Sequence, residues 1–205
     1  MSLPLTTVVL AATPPVMLQA RQAIAAAHSF KITISIASAT ATTSMVETVV
    51  RQGKTVEMYV ISKMTEADGR VTIVDEVLGA KHTCIRLTGQ GAWNCTMPPM
   101  TSLLADALSF TPTTATGSLS TAQITWAPAG NKVVQGQLCT GFNATTTTST
   151  RKSSDIIWFS IASKYPVQVN STGVPLGKST SGKDSVTIVW SNWNDPSLSI
   201  PSVGA

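Results

Sequence analysis

Charge is the first thing this sequence is short of. Only 12% of its 205 residues are Asp, Glu, Lys or Arg, about half of the roughly 25% that an average soluble domain carries. Aromatic residues make up 5%, with three cysteines and two histidines. No apolar run approaches the ~18–20 residues that a membrane-spanning helix requires. Each shortage removes a class. Scarce charge beside an apolar fraction of 43% excludes intrinsic disorder, which pairs low hydrophobicity with high net charge. His28 and His82 fall in different elements with no acidic residue beside either, and with three cysteines they offer no zinc-ligand spacing. The net charge is +4, but the cations are scattered singly from Arg21 to Lys183, and Arg151-Lys152 is the one adjacent pair. A nucleic-acid footprint is clustered, so no nucleic-acid partner is expected.

Hydroxyls stand where the charge is missing: Ser and Thr make up about a quarter of the chain, and the mean hydropathy is +0.20. The length fits one domain with a sizeable core. Met1 to Ala12 looks like the end of a signal h-region without a basic n-region. The division expected is a flexible leader over 1–13 and a single domain over 14–205.

Local patterns predict one early helix. Thr13 is suited to N-cap it, with Pro14 or Pro15 in the first turn, and Met17, Ala20, Ile24 and Ala27 recur at helical spacing. After Ser29 the period becomes two: Phe30, Ile32, Ile34 and Ile36 alternate with polar residues, the mark of a half-buried strand. Strands over 44–51, 55–64, 71–77, 81–87 and 92–96 follow, separated by turn residues such as Asp68-Gly69, which describes an antiparallel meander. Met97-Pro98-Pro99 breaks the sheet, and 101–110 reads as a second helix with Leu103, Leu104, Ala107 and Leu108 on its apolar face. Strands resume over 122–126, 132–140, 142–150, 156–161, 167–170 and 185–193. The fold class expected is α+β: a single curved antiparallel sheet, a half-barrel, with helices packed on its concave face.

Catalytic motifs fail on inspection. Gly177 to Lys183 matches seven positions of a phosphate-binding loop, but the eighth is Asp184 and a strand follows where a helix is required. Asp75 and Glu76 are adjacent on a strand and so face opposite sides. No nucleophile elbow occurs, and Ser149-Thr150-Arg151-Lys152 lies in a Thr/Ser run where such matches are cheap. The chain is expected to be no enzyme and to need no cofactor. The cysteines say more. A two-residue turn at Gly89-Gln90 sets Cys84 opposite Cys95, close enough for a disulfide unless a bulge at Gly91 shifts the register. That pairing implies an oxidising, extracytoplasmic compartment and leaves Cys139 over. Sequons at Asn94, Asn143 and Asn170 decide little in a chain so rich in Ser and Thr.

Several segments resemble one family. Ala25–Ile34 is similar to the helix-to-strand junction of LolA-like lipoprotein carriers, including the mycobacterial LppX/LprG branch. Gly91–Thr96 resembles their "gly-x-trp" strand, Gly136–Cys139 the "gly-x-x-cys" strand, and Ile157–Val169 the "leu-trp-ile-asp … leu-pro-val-x-val" hairpin. Trp193 to Pro201 resembles the terminal "asn-x-pro-x-ile-x-x-pro" signature. Order and spacing cover most of residues 16–201. The hairpin turn at Ser163-Lys164 departs from the pattern, lacking the usual Asp and Gly, and no lipidated cysteine is present.

The resemblance implies a bacterial cell-envelope protein that binds and carries a lipid or other apolar small molecule between the sheet and covering helices, with 101–110 as lid. It also implies peripheral membrane association through a removed lipid anchor. Phe30, Ile32, Ile34, Ile36, Met58, Val60, Leu104, Leu108, Ile157 and Phe159 would then line the cavity. The same residues fit a closed core, and the sequence leaves both open. A closed core would suit a protein-interaction or sensor module docking an envelope protein partner.

Overall fold

In the computed structural model the residues described are 13–38, 40–53, 55–79, 83–87, 91–97, 123–147, 151–175 and 184–203. The helix α1 spans Pro15–Ala26. Its N-cap is Pro14 rather than Thr13, with Pro15 at the first position and no side-chain cap; a proline there loses no hydrogen bond, because that N–H has no partner within a helix. Eleven strands follow: β1 Ser29–Ala37, β2 Ala41–Gln52, β3 Thr55–Glu66, β4 Val71–Leu78, β5 Thr83–Leu87, β6 Asn94–Met97, β7 Gln123–Val134, β8 Gln137–Thr147, β9 Arg151–Ser160, β10 Pro166–Pro175 and β11 Asp184–Ser191. They form one antiparallel sheet in the order β6-β5-β4-β3-β2-β1-β11-β10-β9-β8-β7. The first half of the chain thus grows outward from β1 in one direction. The second half returns to close on its other side, with β11 paired to β1.

This corrects the α+β expectation. The sheet is open, with β6 and β7 at its two ends, and one 12-residue helix is the only one among the described residues. The molecule is chiefly β, and helices spread over a concave half-barrel face are not what the described chain builds. The physical reason lies in the pattern. Period-two alternation and β-branched Thr, Val and Ile dominate the described chain from Ser29 onward, while among the described residues strong helix formers at helical spacing are confined to the first segment. The expected helix at 101–110, with Leu104 and Leu108, lies outside the described residues. So does the loop at 177–183.

A second correction concerns β7 and β8. The sequence pattern predicts separate strands over 132–140 and 142–150, with a break at 141. The turn is instead at Gln135-Gly136, where both residues have positive φ (50° and 76°), the pair of left-handed conformations that a tight hairpin turn of this type demands. Gly141 lies within β8 for a different reason. The Trp158 ring is laid across it, so a Cβ at 141 would sit 2.5 Å from the ring. Only hydrogen fits.

The two faces of the sheet differ. On the outer face Arg86 binds Asp75 through Nε (3.1 Å) and Nη2 (2.6 Å) and lies 4.4 Å over the Trp93 ring. Cys84 and Cys95 are joined there as a disulfide with Cα atoms 4.0 Å apart. The register irregularity falls opposite Cys84: Ile85 pairs with Asn94 and Thr83 with Met97, so two residues face one. Cys139 is a buried free thiol, packed with Trp158 and Val167.

The C-terminal segment fastens the α1 end of the molecule. Trp193 stacks on Phe30 (4.7 Å) and on Tyr165 (4.1 Å). Asn194 donates its backbone N–H to Ser29 O at 2.8 Å, and its Oδ1 accepts from the His28 N–H at 2.7 Å. The Ser29 hydroxyl donates to Asp195 O at 2.8 Å. These bonds tie the helix-to-strand junction to the end of the chain, more than 160 residues away.

Candidate functional site: the helix-covered face

Side chains alternate between faces along a strand, so the pairings define which residues share a face and in which row. The row under α1 holds Phe30, Val49, Met58, Leu78 and Thr83 on β1 to β5. The next holds Ile32 with Trp190 on one side and Glu47, Val60, Glu76 and Ile85 on the other. The third runs through Ile34 to Met45 and Ser62 in one direction, and to Ile188, Val169, Ile157 and Phe142 in the other. The fourth runs from Ile36 through Val186, Ser171 and Asp155 to Ala144.

Burial changes along these rows. Met17, Ala20 and Ile24 of α1 form one cluster with Phe30, Ile32, Val49, Met58, Val60, Leu78, Ile157, Phe159, Val169 and Trp190. Here the face is shut, because α1 supplies an apolar stripe of its own. Beyond α1, Ile34, Ile36, Met45, Val186 and Ile188 are half-buried, and Met64 is 39% exposed. Of the residues singled out from sequence, the structure therefore gathers Phe30, Ile32, Met58, Val60, Ile157 and Phe159 into one packed core with the helix. Ile34 and Ile36 stand on the same face where it opens.

The sequence reading missed the carboxyls on this face. Glu47 lies between Ile32 and Val60, and burial among aliphatic neighbours raises its pKa from the ordinary 4.5 to about 7. Burial also raises Glu76, two strands away in the same row. Asp155 is 2% exposed; burial pushes its carboxyl upward, and Ser171 directly opposite offsets part of the effect. The signal was present. Glu47 keeps step with Met45 and Val49, Glu76 with Val74 and Leu78, and Asp155 with Ile157 and Phe159, so alternation alone puts all three carboxyls on the apolar side. No grouping of His, Cys, Asp and Glu among the described residues could hold a metal ion.

No family model matches the chain, and no curated protein matches it. Among solved structures it is similar to a DUF1329 family protein from Desulfovibrio piger, over 90% of this chain and 92% of that one, at 11% identity and a TM-score of 0.29. It is also similar to a "putative outer membrane lipoprotein-sorting protein domain" from Vibrio parahaemolyticus, over 89% of this chain and 92% of that one, again at 11% identity and 0.29. Likeness at this level carries no weight on function, so the site's own residues must supply it.

Chemically, they supply an apolar surface with isolated acidic groups. The two ion pairs among the described residues, Arg70–Glu66 and Arg86–Asp75, leave Glu47, Glu76 and Asp155 aside. The register puts two strand cations on this face: Arg151, opposite Pro175 on β10, and, at the α1 end, Arg51, opposite Val56. The Arg51 Nε donates to Ala27 O at 3.3 Å. That bond serves the end of α1, which presents carbonyls without helical partners.

Proposed function

We propose that this chain binds and carries a lipid or other apolar small molecule, without catalysing a reaction, and that the ligand lies on the α1 side of the sheet. The domain over 14–205 would act as one unit in an extracytoplasmic compartment. The observation that carries the reading is the change along one face: α1 and the first rows pack shut, and the same aliphatic pattern continues half-buried through Ile34, Ile36, Met45, Val186 and Ile188. A strand face meant for water carries polar residues there. The disulfide supports an oxidising compartment.

The mechanism is desolvation. Each methylene moved from water onto this surface contributes about 0.8 kcal/mol, so ten of them supply about 8 kcal/mol before the ordering of the chain is subtracted. Native mass spectrometry and organic extraction of the purified protein test the reading, together with displacement of a bound fluorescent fatty acid. Lipid should co-purify or exchange in, and Ile36→Glu, which puts a charge on the open rows, should weaken binding at least tenfold. Absence of both co-purified lipid and exchange would sink the idea. A second reading, docking of an envelope protein, draws on the six candidate residues that are packed into the closed core, and that negative result would favour it.

A further inference from the structure

Among the described residues three buried side-chain oxygens complete no hydrogen bond: Oδ1 and Oδ2 of Asp155 and Oγ1 of Thr146. They are neighbours. Asp155 on β9 pairs with Ala144 on β8, and Thr146 lies two residues further along β8 on the same face, opposite Ser153. Diagonal positions of this kind have Cα atoms about 7–8 Å apart, within reach of a single small group between the side chains. Each residue is 2% exposed. Burial with so little to hold the charge is the arrangement that proteins avoid most consistently for a carboxylate, and the Ser171 hydroxyl directly opposite relieves only part of it.

The unmet chemistry is specific. Two carboxylate oxygens and one hydroxyl oxygen offer three acceptors on one face of two adjacent strands, with a negative charge among them. A primary ammonium carries three N–H donors, a positive charge and no acceptor, and hydrogen bonds between such charged groups are the strong ones. Row four leads from Asp155 across Ser171 and Val186 to Ile36, three strand spacings or about 14 Å, a span that a dodecyl chain covers.

We propose that Asp155 and Thr146 form a head-group subsite on the apolar face, and that the ligand is an amphipath with a protonated primary amine. The ammonium donates to Asp155 Oδ1 and Oδ2 and to Thr146 Oγ1 while the hydrocarbon runs along row four toward Ile36. This rests on the reading of the α1 face as a surface for an apolar ligand, and it names that ligand's class.

Calorimetric titration of the whole chain at neutral pH with three probes of one length, below their micelle concentrations, decides it. Dodecylamine should bind at least tenfold tighter than dodecanol, which lacks the charge, and than dodecyltrimethylammonium, which has the charge without N–H donors. Asp155→Asn should remove at least tenfold of the amine affinity and leave dodecanol within twofold, and Thr146→Val should cost the amine about threefold. Equal binding of amine and alcohol by the wild-type chain overturns the subsite while sparing the apolar-ligand reading. Equal binding of the amine and its trimethyl analogue overturns the hydrogen-bonded geometry. If no probe binds, both readings fall. The wild-type comparisons need no variant to fold, so they decide the matter by themselves.

Discussion

Glu47 gives the sharpest physical test of how this face is built. Its carboxyl lies between Ile32 and Val60 in the middle of the sheet, with no ion pair among the described residues. Burial alone raises its pKa from 4.5 to about 7. A carboxyl whose folded pKa exceeds its unfolded one holds its proton longer in the native state, so the native state binds more protons between the two values. Stability then falls as pH rises through that window and is level on either side. Each pKa unit is worth about 1.4 kcal/mol, so the rise from 4.5 to about 7 amounts to about 3 kcal/mol lost between pH 4 and pH 8. Glu47→Gln keeps the shape and removes the ionisation. Urea unfolding of both proteins across this range should give nearly equal stabilities at pH 4, with the Gln variant ahead by about 3 kcal/mol at pH 8. The difference between the two proteins isolates Glu47 from Glu76 and Asp155, whose raised values act in the same direction. A difference that stays flat with pH, or a Gln variant that is weaker at pH 8, would refute the claim that this carboxyl sits desolvated and unpaired.

Three further perturbations probe the framework. Gly141→Ala pushes a methyl to 2.5 Å from the Trp158 ring, and overpacking of this kind costs about 1–3 kcal/mol; combined with Trp158→Ala the penalty should largely vanish, and strict additivity of the two in denaturant unfolding would show that the clash does not exist. Converting Cys84 and Cys95 to Ser opens a loop of sequence separation 11, worth about 3 kcal/mol on the chain-entropy account, and reductant should lower the wild-type chain toward the double variant without affecting the variant itself. Trp193→Ala removes two stacked ring pairs, with Phe30 and Tyr165, each worth about 0.5–1.5 kcal/mol beyond burial; hydrogen exchange at the Ser29–Asn194 junction should quicken along with the loss, and unchanged protection there would remove the role given to the C-terminal segment.

What was legible in the sequence follows from where its signals are local. Period two from Phe30 to Ile36 and the Asp68-Gly69 turn fix strands by contacts between near neighbours, and the structure has strands there. The failures are the places where a distant residue decides. Position 141 looks like a break between two strands until Trp158, 17 positions later, is seen lying across it, and Gln135-Gly136 looks unremarkable because glutamine is not a usual left-handed residue. The reach of β7 to Val134 and of β10 to Pro175 likewise depends on partner strands, β8 and β9, that the local pattern cannot supply.

The carboxyls mark a different kind of failure. Counting charge made them seem sparse and therefore uninformative, yet sparseness is what makes their positions telling. In a strand with few charges, an acid at an apolar-phase position is either an error of register or a group kept at a cost. The pairings rule out the first for Asp155, since Ala144 and Ser171 flank it on the same face as Ile157 and Val169. A buried acid whose burial the Ser171 hydroxyl only partly offsets lowers stability wherever it ionises, and an amide of the same shape would relieve that. The retained acid is thus better matched to a group from outside the described framework than to the fold itself. Phase, more than count, is where function is written in a chain this poor in charge.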